Sequence, residues 1–167
     1  MAQERLITQI DYARAGKITP QMEAVAAKEH KTPEEIRAGV AKGCIAIPAN
    51  IHHAALSPEG VGEGMRTKVN VNLGISGDLM NAEMELEKVR TAIELGAEGI
   101  MDLSNHGKTH DFRKHLIDMS PAMIGTVPMY DAIGYLEKPL IGITAQDFLD
   151  VVRAHAEDGV DFVTIHA

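Results

Sequence analysis

The stretch GIMDLS, residues 99–104, is a short apolar run that turns polar and stands in the middle of a regular series, from which the fold class can be predicted. Its Met101 lies 29 residues after Asn72 and 29 residues before Tyr130. Those two residues belong to runs of the same form, VNVNLG at 69–74 and GTVPMY at 125–130. A longer interval of 36 residues then leads from Tyr130 to His166, in DFVTIHA at 161–167.

This spacing is the length of one β-α unit, since one strand, one helix and two loops fill an interval of that size. The four residues are therefore expected at the same end of neighbouring parallel strands. In a (β/α)8 TIM barrel the carboxyl-terminal end of the strands carries the active site. We predict an α/β protein of this class, in which the chain provides an N-terminal helical segment and about the first half of the barrel.

The predicted elements divide the chain into a helical segment, 1–43, and a barrel portion, 44–167. In the first part, TPQMEAVAAKEH and TPEEIRAGVAKG each open with threonine, a preferred N-cap, and proline, a preferred first helical residue. The predicted strands of the second part are Cys44–Pro48, Lys68–Leu73, Gly99–Leu103, Ala122–Val127 and Asp161–Ile165. The predicted helices between them are Ala82–Leu95, Asp111–Met119 and Ala145–Glu157.

The number of strands is too small for a closed barrel, which usually needs about 250 residues. We therefore expect the chain to be the N-terminal part of a longer protein that continues beyond residue 167. The alternative is a natural half-barrel completed by a second copy, because an open strand edge leaves backbone groups unpaired.

The charge and hydropathy of the chain argue against nucleic-acid and membrane partners. The chain has 24 acidic and 16 basic residues and a net charge of −8, without a basic stripe, so nucleic acid is not an expected partner. No apolar run is long enough for a signal peptide or a membrane span, which favours a cytoplasmic location and no membrane partner. With one cysteine, the chain is expected to hold no metal by itself.

Several reactive residue types have ordinary interpretations. Gly107-Lys108-Thr109 lacks the earlier glycine of a phosphate-binding P-loop, which leaves Lys108 as a loop lysine able to meet a substrate phosphate. Cys44 is predicted to be a small core residue. His52 and His53 are interpreted as a loop pair with one hydrogen-bonding role. The remaining downstream histidines are predicted to be solvated, namely His106, His110, His115 and His155.

The strand ends supply the candidate binding residues. The amide of Asn72 and the phenol of Tyr130 are groups that orient a polar heterocycle. Met101 alone would be assigned to the core, but its place in the series makes it a candidate apolar wall for a flat ligand. Asp102 and Ser104 follow on the same strand, although Asp102 alternates with Met101 and cannot share its face within the strand.

Six motifs resemble the phosphomethylpyrimidine synthase family, the radical enzymes that make the pyrimidine of thiamin. They cover nearly the whole chain in the family's order, as YARAGKITPQMEAVA (12–26), IPANIHH (47–53), KVNVNLGIS (68–76), GIMDLS (99–104), IGTVPMY (124–130) and DGVDFVTIHA (158–167).

The resemblance implies a (β/α)8 barrel that binds 5-aminoimidazole ribotide. It also implies that the protein forms a homodimer. It implies that Asn72, Met101, Tyr130 and His166 contact this substrate. It also implies a [4Fe–4S] cluster, S-adenosylmethionine and a divalent metal such as zinc, all bound mainly beyond residue 167. The chain alone is therefore expected to be inactive, and the catalytic residues stay unassigned.

Two departures from the thiamin-branch pattern occur at DLSNHG (102–107) and PMYDA (128–132). They resemble the paralogous 5-hydroxybenzimidazole synthase, which makes a base of anaerobic cobamides from the same ribotide, and the main interpretation follows this paralogue. The alternatives are the thiamin synthase itself, a non-catalytic half-barrel for binding or assembly, and a barrel aldolase or isomerase without a radical. The residues expected to lie behind the substrate contacts are Asp102, Ser104, Asn105, Lys108 and Asp131. Those expected to influence the product are Asn105, His106, Lys108 and Asp131.

Overall fold

The computed structural model describes residues 7–78, 80–107, 109–135 and 139–166. It contains two compact units, each described here by itself. The first comprises Met1–Pro48 and Ser57–Lys68, and the second comprises Ala49–Leu56 and Val69–Ala167. In the part of the chain that the structure describes, no helix is long and apolar enough to cross a membrane.

Three helices build most of the first unit, and each begins where a threonine side chain caps it. They are α1 (Gln9–Arg14), α2 (Pro20–Lys28) and α3 (Pro33–Lys42). The caps are Thr8, Thr19 and Thr32, whose hydroxyl oxygens accept from backbone N–H groups of the first turn. α3 ends at Gly43, where φ is 76°, a left-handed conformation that glycine adopts without strain. The two helices predicted from the Thr-Pro pairs are thus confirmed.

The first predicted strand differs from expectation. Only Ile45–Ala46 forms a strand, β1, and it pairs antiparallel with β2 (Val61–Gly62) instead of joining the parallel sheet. The prediction that Cys44 is a core residue is wrong, because Cys44 is exposed. The reason is the alternation of an extended chain, in which Ile45 points inward and its neighbours point outward.

Ion pairs hold the segment after the first predicted strand within the first unit. Glu59 is buried and its carboxylate lies 2.7 Å from the Lys28 ammonium on α2. The backbone N–H of Arg66 donates to Glu29 over 2.9 Å, and Lys68 pairs with the same carboxylate. These contacts hold residues 57–68 against α2.

The second unit is built on a parallel sheet of four strands in sequence order. The strands are β3 (Asn70–Leu73), β4 (Gly99–Asp102), β5 (Met123–Thr126) and β6 (Phe162–Val163). They are shorter than predicted but lie inside the predicted ranges. The helices are α4 (Ala82–Glu94), α5 (His110–Met119), α6 (Pro128–Tyr135) and α7 (Ala145–Asp158), with a 3-10 turn at Leu140–Gly142.

One face of this sheet packs against the helices. Strand residues Leu73, Ile100 and Ile124 are buried in one apolar core with Val89 of α4 and Leu116 of α5. The order of strands and helices confirms the predicted α/β class with a parallel sheet. Closure into a (β/α)8 barrel stays a prediction.

The loops after β3 and β4 run against each other beyond the sheet. Asn105 donates its backbone N–H to the carbonyl of Ile75 over 3.0 Å, and Ile75 donates to the Ser104 hydroxyl over 2.9 Å. Gly74, with φ of 148°, permits this close approach, since a Cβ placed there would lie 2.6 Å from the backbone nitrogen of Ser104.

We predict that Gly74→Ala destabilises the full-length protein by more than about 1 kcal/mol, because alanine is strained at this φ and its Cβ meets backbone atoms. The measurement is the free energy of unfolding in urea. Gly96→Ala is the matched control, since Gly96 also has a positive φ of 83° but has open space around its Cα. Equal losses in the two variants would contradict the close-approach explanation.

Candidate functional site

A row of side chains crosses the face of the sheet that is opposite the helix core. Asn72 pairs with Met101, Met101 with Gly125, and Gly125 with Phe162. Residues in register on neighbouring parallel strands point to the same side. Their strand neighbours Leu73, Ile100 and Ile124 belong to the core on the other side, so the row occupies the face opposite that core.

Gly125 makes room for the two large members of this row. A Cβ at Gly125 would lie 2.4 Å from the Met101 sulfur and 2.3 Å from Cζ of Phe162. The Met101 thioether and the Phe162 ring therefore converge over Gly125 from neighbouring strands. Met101 is 9% exposed, which suits an apolar wall at the edge of a site more than a solvated side chain.

Tyr130 and His166 form an aromatic pair beyond the ends of the last two strands. Their ring centroids lie 5.8 Å apart and the ring planes are tilted by 34°. This separation falls within the range of attractive aromatic contacts. Tyr130 is 37% exposed and His166 is exposed, so both rings can reach a ligand.

The four sequence-predicted substrate residues thus meet in two pairs. Asn72 and Met101 are neighbours in the third position of β3 and β4, while Tyr130 and His166 are in ring contact past β5 and β6. Asn72 is exposed, and its side-chain oxygen accepts from the Asn70 amide over 2.9 Å. Their role in substrate binding stays a prediction.

Asp102 and Ser104 are buried and bind each other. Oδ1 of Asp102 accepts from both the backbone N–H of Ser104, over 2.9 Å, and its hydroxyl. Burial raises the pKa of Asp102, although the bonds from Ser104 and the charge of Arg113 oppose the rise. Asp102 alternates with Met101 as expected, and in this strand it lies on the side of the helix core.

Asp131 is the centre of a buried polar group that we name the Asp131 cluster. Its members are Thr109, Arg113, Thr126, Asp131 and His155, all at most 4% exposed. Asp131 Oδ1 accepts from the Thr109 hydroxyl over 2.6 Å. Asp131 Oδ2 accepts from Arg113 Nη1 over 3.1 Å and lies 2.8 Å from His155 Nε2.

The electrostatics of the cluster favour an ionised Asp131. Burial opposes ionisation, but the hydrogen bonds from His155 and Thr109 and the charge of Arg113 outweigh it and lower the pKa of Asp131. The second carboxylate on Arg113 is Asp158, 2.7 Å from Nη2, and His110 pairs with Asp158 as well. Because Asp131 is buried and its two oxygens bind Thr109, Arg113 and His155, its carboxylate is enclosed and not open to a ligand.

The sequence interpretation missed most of this cluster. His155 was expected to be solvated, which is wrong, because it is 1% exposed between Asp131 and Thr126. The positions of these residues on their helices could have indicated that they are buried. Arg113 shares the buried face of α5 with Leu116, and His155 follows the buried Val151 by four residues in α7. A charged or polar side chain on an apolar helix face requires buried partners.

The other residues predicted to influence the product lie in the loop after β4. Asn105 and His106 are exposed, and His106 lies near Gly77 of the preceding loop. Lys108 lies outside the described residues.

His53 is buried and binds two acceptors at once. Its Nδ1 lies 2.7 Å from Oδ2 of Asp161, and its Nε2 lies 2.8 Å from the carbonyl oxygen of Ser120. A carboxylate and a carbonyl both require a donated proton, so both ring nitrogens are protonated. Asp161 also accepts from the backbone N–H groups of Ile124 and Asn50, which ties residues 49–56 to the start of β5 and β6.

We predict that His53 makes stability depend on pH. Burial lowers the pKa of His53, but the bond and charge of Asp161 and the Ser120 carbonyl outweigh burial and raise it above the ordinary 6.5. A raised folded-state pKa gives stability that is complete below the unfolded pKa and is lost as pH rises through the folded pKa. His53→Gln should therefore cost roughly 3 kcal/mol at low pH and progressively less toward alkaline pH.

The measurement is the free energy of unfolding in urea between about pH 6 and about pH 9. His52→Gln is the control, because His52 is exposed beside the same loop. A stability gap between parent and His53→Gln that stays constant across this range would rule out a buried imidazolium.

Comparison with known proteins gives the family. The profile of the radical SAM ThiC family matches residues 8–167. The chain belongs to the radical SAM ThiC family. Phosphomethylpyrimidine synthase of Alkaliphilus metalliredigens is 64% identical over 160 residues, which are 96% of this chain and 37% of that protein. The enzymes of the same name from Clostridioides difficile and Clostridium tetani are each 61% identical over 96% of this chain, covering 37% and 35% of their own lengths.

The resemblance drawn from the sequence motifs is thereby confirmed, and the family implies an enzyme that uses an iron-sulfur cluster and S-adenosylmethionine. A [4Fe–4S] cluster is held by several cysteine thiolates, and this chain has one cysteine. Among the described residues, no group of three or more histidine, cysteine and carboxylate side chains is arranged to hold a metal ion. The residues of this chain therefore do not fit the cluster, and the chain spans little more than a third of the relatives' length.

Proposed function

We propose that the full-length protein is a phosphomethylpyrimidine synthase, which converts 5-aminoimidazole ribotide into the hydroxymethylpyrimidine phosphate used for thiamin. The observation that carries the proposal is the identity of 61–64% across 96% of this chain to enzymes of that name. Their names also favour an enzyme over a non-catalytic half-barrel module.

This chain contributes part of the substrate face in the proposed enzyme. In this proposal the Asn72 amide and the Tyr130 hydroxyl hydrogen-bond polar groups of the ribotide. The Met101 thioether, held over Gly125, provides an apolar wall for the flat imidazole ring. His166 completes this face beside Tyr130. In this proposal the part of the protein beyond residue 167 forms the rest of the barrel. It also binds most of the cluster, S-adenosylmethionine and a divalent metal such as zinc.

The product 5-hydroxybenzimidazole, which the two sequence departures favoured, is less well supported than the thiamin product. The relatives with 61–64% identity carry the thiamin enzyme's name. In addition, Asp131, one of the departing residues, has its carboxylate enclosed by Thr109, Arg113 and His155. An enclosed carboxylate is poorly placed to redirect proton transfers in substrate-derived intermediates.

We predict that the full-length protein, with its cluster reconstituted anaerobically, makes hydroxymethylpyrimidine phosphate from 5-aminoimidazole ribotide, S-adenosylmethionine and a reductant. Mass spectrometry of the products is the measurement, with a reaction lacking S-adenosylmethionine as control. Formation of 5-hydroxybenzimidazole would instead identify the paralogous activity. Turnover of the ribotide in the control reaction would favour a barrel enzyme without a radical.

We further predict that Tyr130→Phe weakens ribotide binding by roughly 1–3 kcal/mol, because the group that the hydroxyl binds is left buried and unpaired. Isothermal titration of the full-length protein with the ribotide measures this change without requiring turnover. Tyr12→Phe in the first unit is the matched control. Unchanged affinity in Tyr130→Phe would leave the ring, and not the hydroxyl, as the contributing group.

A further inference from the structure

We propose that the Asp131 cluster is a positioning device, which fixes the Tyr130–His166 pair from behind and so sets the affinity for the ribotide. This inference rests on the proposed function for the identity of the ligand. The positioning of Tyr130 and His166 by the Asp131 cluster does not depend on which ligand binds next to the two rings.

Tyr130 is 37% exposed, so packing covers its ring only in part and its position also depends on the backbone that carries it. That backbone is the first turn of α6, where the N–H of Tyr130 donates to the Val127 carbonyl over 2.9 Å. The next residue, Asp131, is 4% exposed and anchors this turn.

The Asp131 carboxylate binds three donors from other parts of the chain. They are the hydroxyl of Thr109, which precedes α5, Nη1 of Arg113 in α5 and Nε2 of His155 in α7. Arg113 Nη1 also donates to the Thr109 hydroxyl oxygen over 2.9 Å, so the donors bind one another. Buried polar groups that bind one another hold their helices and strands in one arrangement, because the loss of any one hydrogen bond leaves a buried polar atom unpaired, which costs free energy.

The Asp131 cluster is also linked to the backbone that leads to His166. The Thr126 hydroxyl lies 2.8 Å from Nδ1 of His155, while its backbone carbonyl accepts from the N–H of Thr164 over 2.9 Å. Thr164 is two residues before His166. The Asp131 cluster therefore contacts the backbone that leads to both rings, although it touches neither ring itself.

The test is a double-mutant cycle on ribotide affinity in the full-length protein. Asp131→Asn keeps the side-chain shape but puts an amide nitrogen, which cannot accept, among three donors. We expect the dissociation constant to rise about tenfold in the parent background and less than about twofold in the Tyr130→Ala background. A purely structural role would lower affinity by the same factor in both backgrounds, and that result would overturn the proposal.

Two further variants protect the test against misfolding. Thr109→Val removes one hydroxyl from the Asp131 cluster without changing the shape of the side chain, and it should raise the dissociation constant in the same direction by a smaller factor. Asp118→Asn is the matched control, because Asp118 is an exposed carboxylate on the same unit that pairs with Lys114 over 2.6 Å. Its affinity should equal that of the parent. Unchanged affinity in both cluster variants would refute the inference.

A second readout separates this inference from the proposed function. Ligand-free crystal structures of the full-length parent, of Thr109→Val and of Asp131→Asn give the separation of the two ring centroids. The parent should keep the contact of 5.8 Å, and the variants should lose it. Failure of the parent to bind the ribotide would remove the proposed function, whereas rings that stay in place in both variants would remove the positioning role.

Discussion

The in-register pairing of four short parallel strands is the constraint on which the rest of the second unit depends. With four residues in β3, β4 and β5, each strand offers only two side chains to each face. The register gives one face to the apolar core and the other to Asn72, Met101, Gly125 and Phe162. A slip of one residue would exchange the two faces and bury Asn72 while exposing Leu73.

Buried ions hold the loops and helices around these strands. Removing charges from water costs several kcal/mol per ion, and a buried pair is tolerated only when its remaining donors and acceptors are also satisfied. The Asp131 cluster and the His53–Asp161 pair both meet this condition, since each carboxylate binds three donors in the described structure. Such groups tie together residues that are far apart in the sequence.

This arrangement suits one part of a larger catalytic site. The chain supplies a row of strand residues and an exposed aromatic pair, both supported by buried groups on the helix side. Membership of the radical SAM ThiC family implies reactive cofactors, whereas the single cysteine cannot hold a cluster. In the proposed enzyme the described residues therefore bind and orient substrate, and the chemistry begins with groups from the remaining length of the protein.

The local structure and the positions of the candidate residues could be predicted from the amino-acid sequence alone. Thr-Pro pairs and Gly43 fixed the helix ends, and the 29-residue spacing located Asn72, Met101 and Tyr130 on successive units, because caps and apolar runs act within a few residues. The antiparallel pairing of β1, the burial of His155 and the enclosure of Asp131 became visible only in the folded chain. These depend on partners up to 29 residues away, as for His155 and Thr126, and a polar side chain is buried only where folding brings such partners to it.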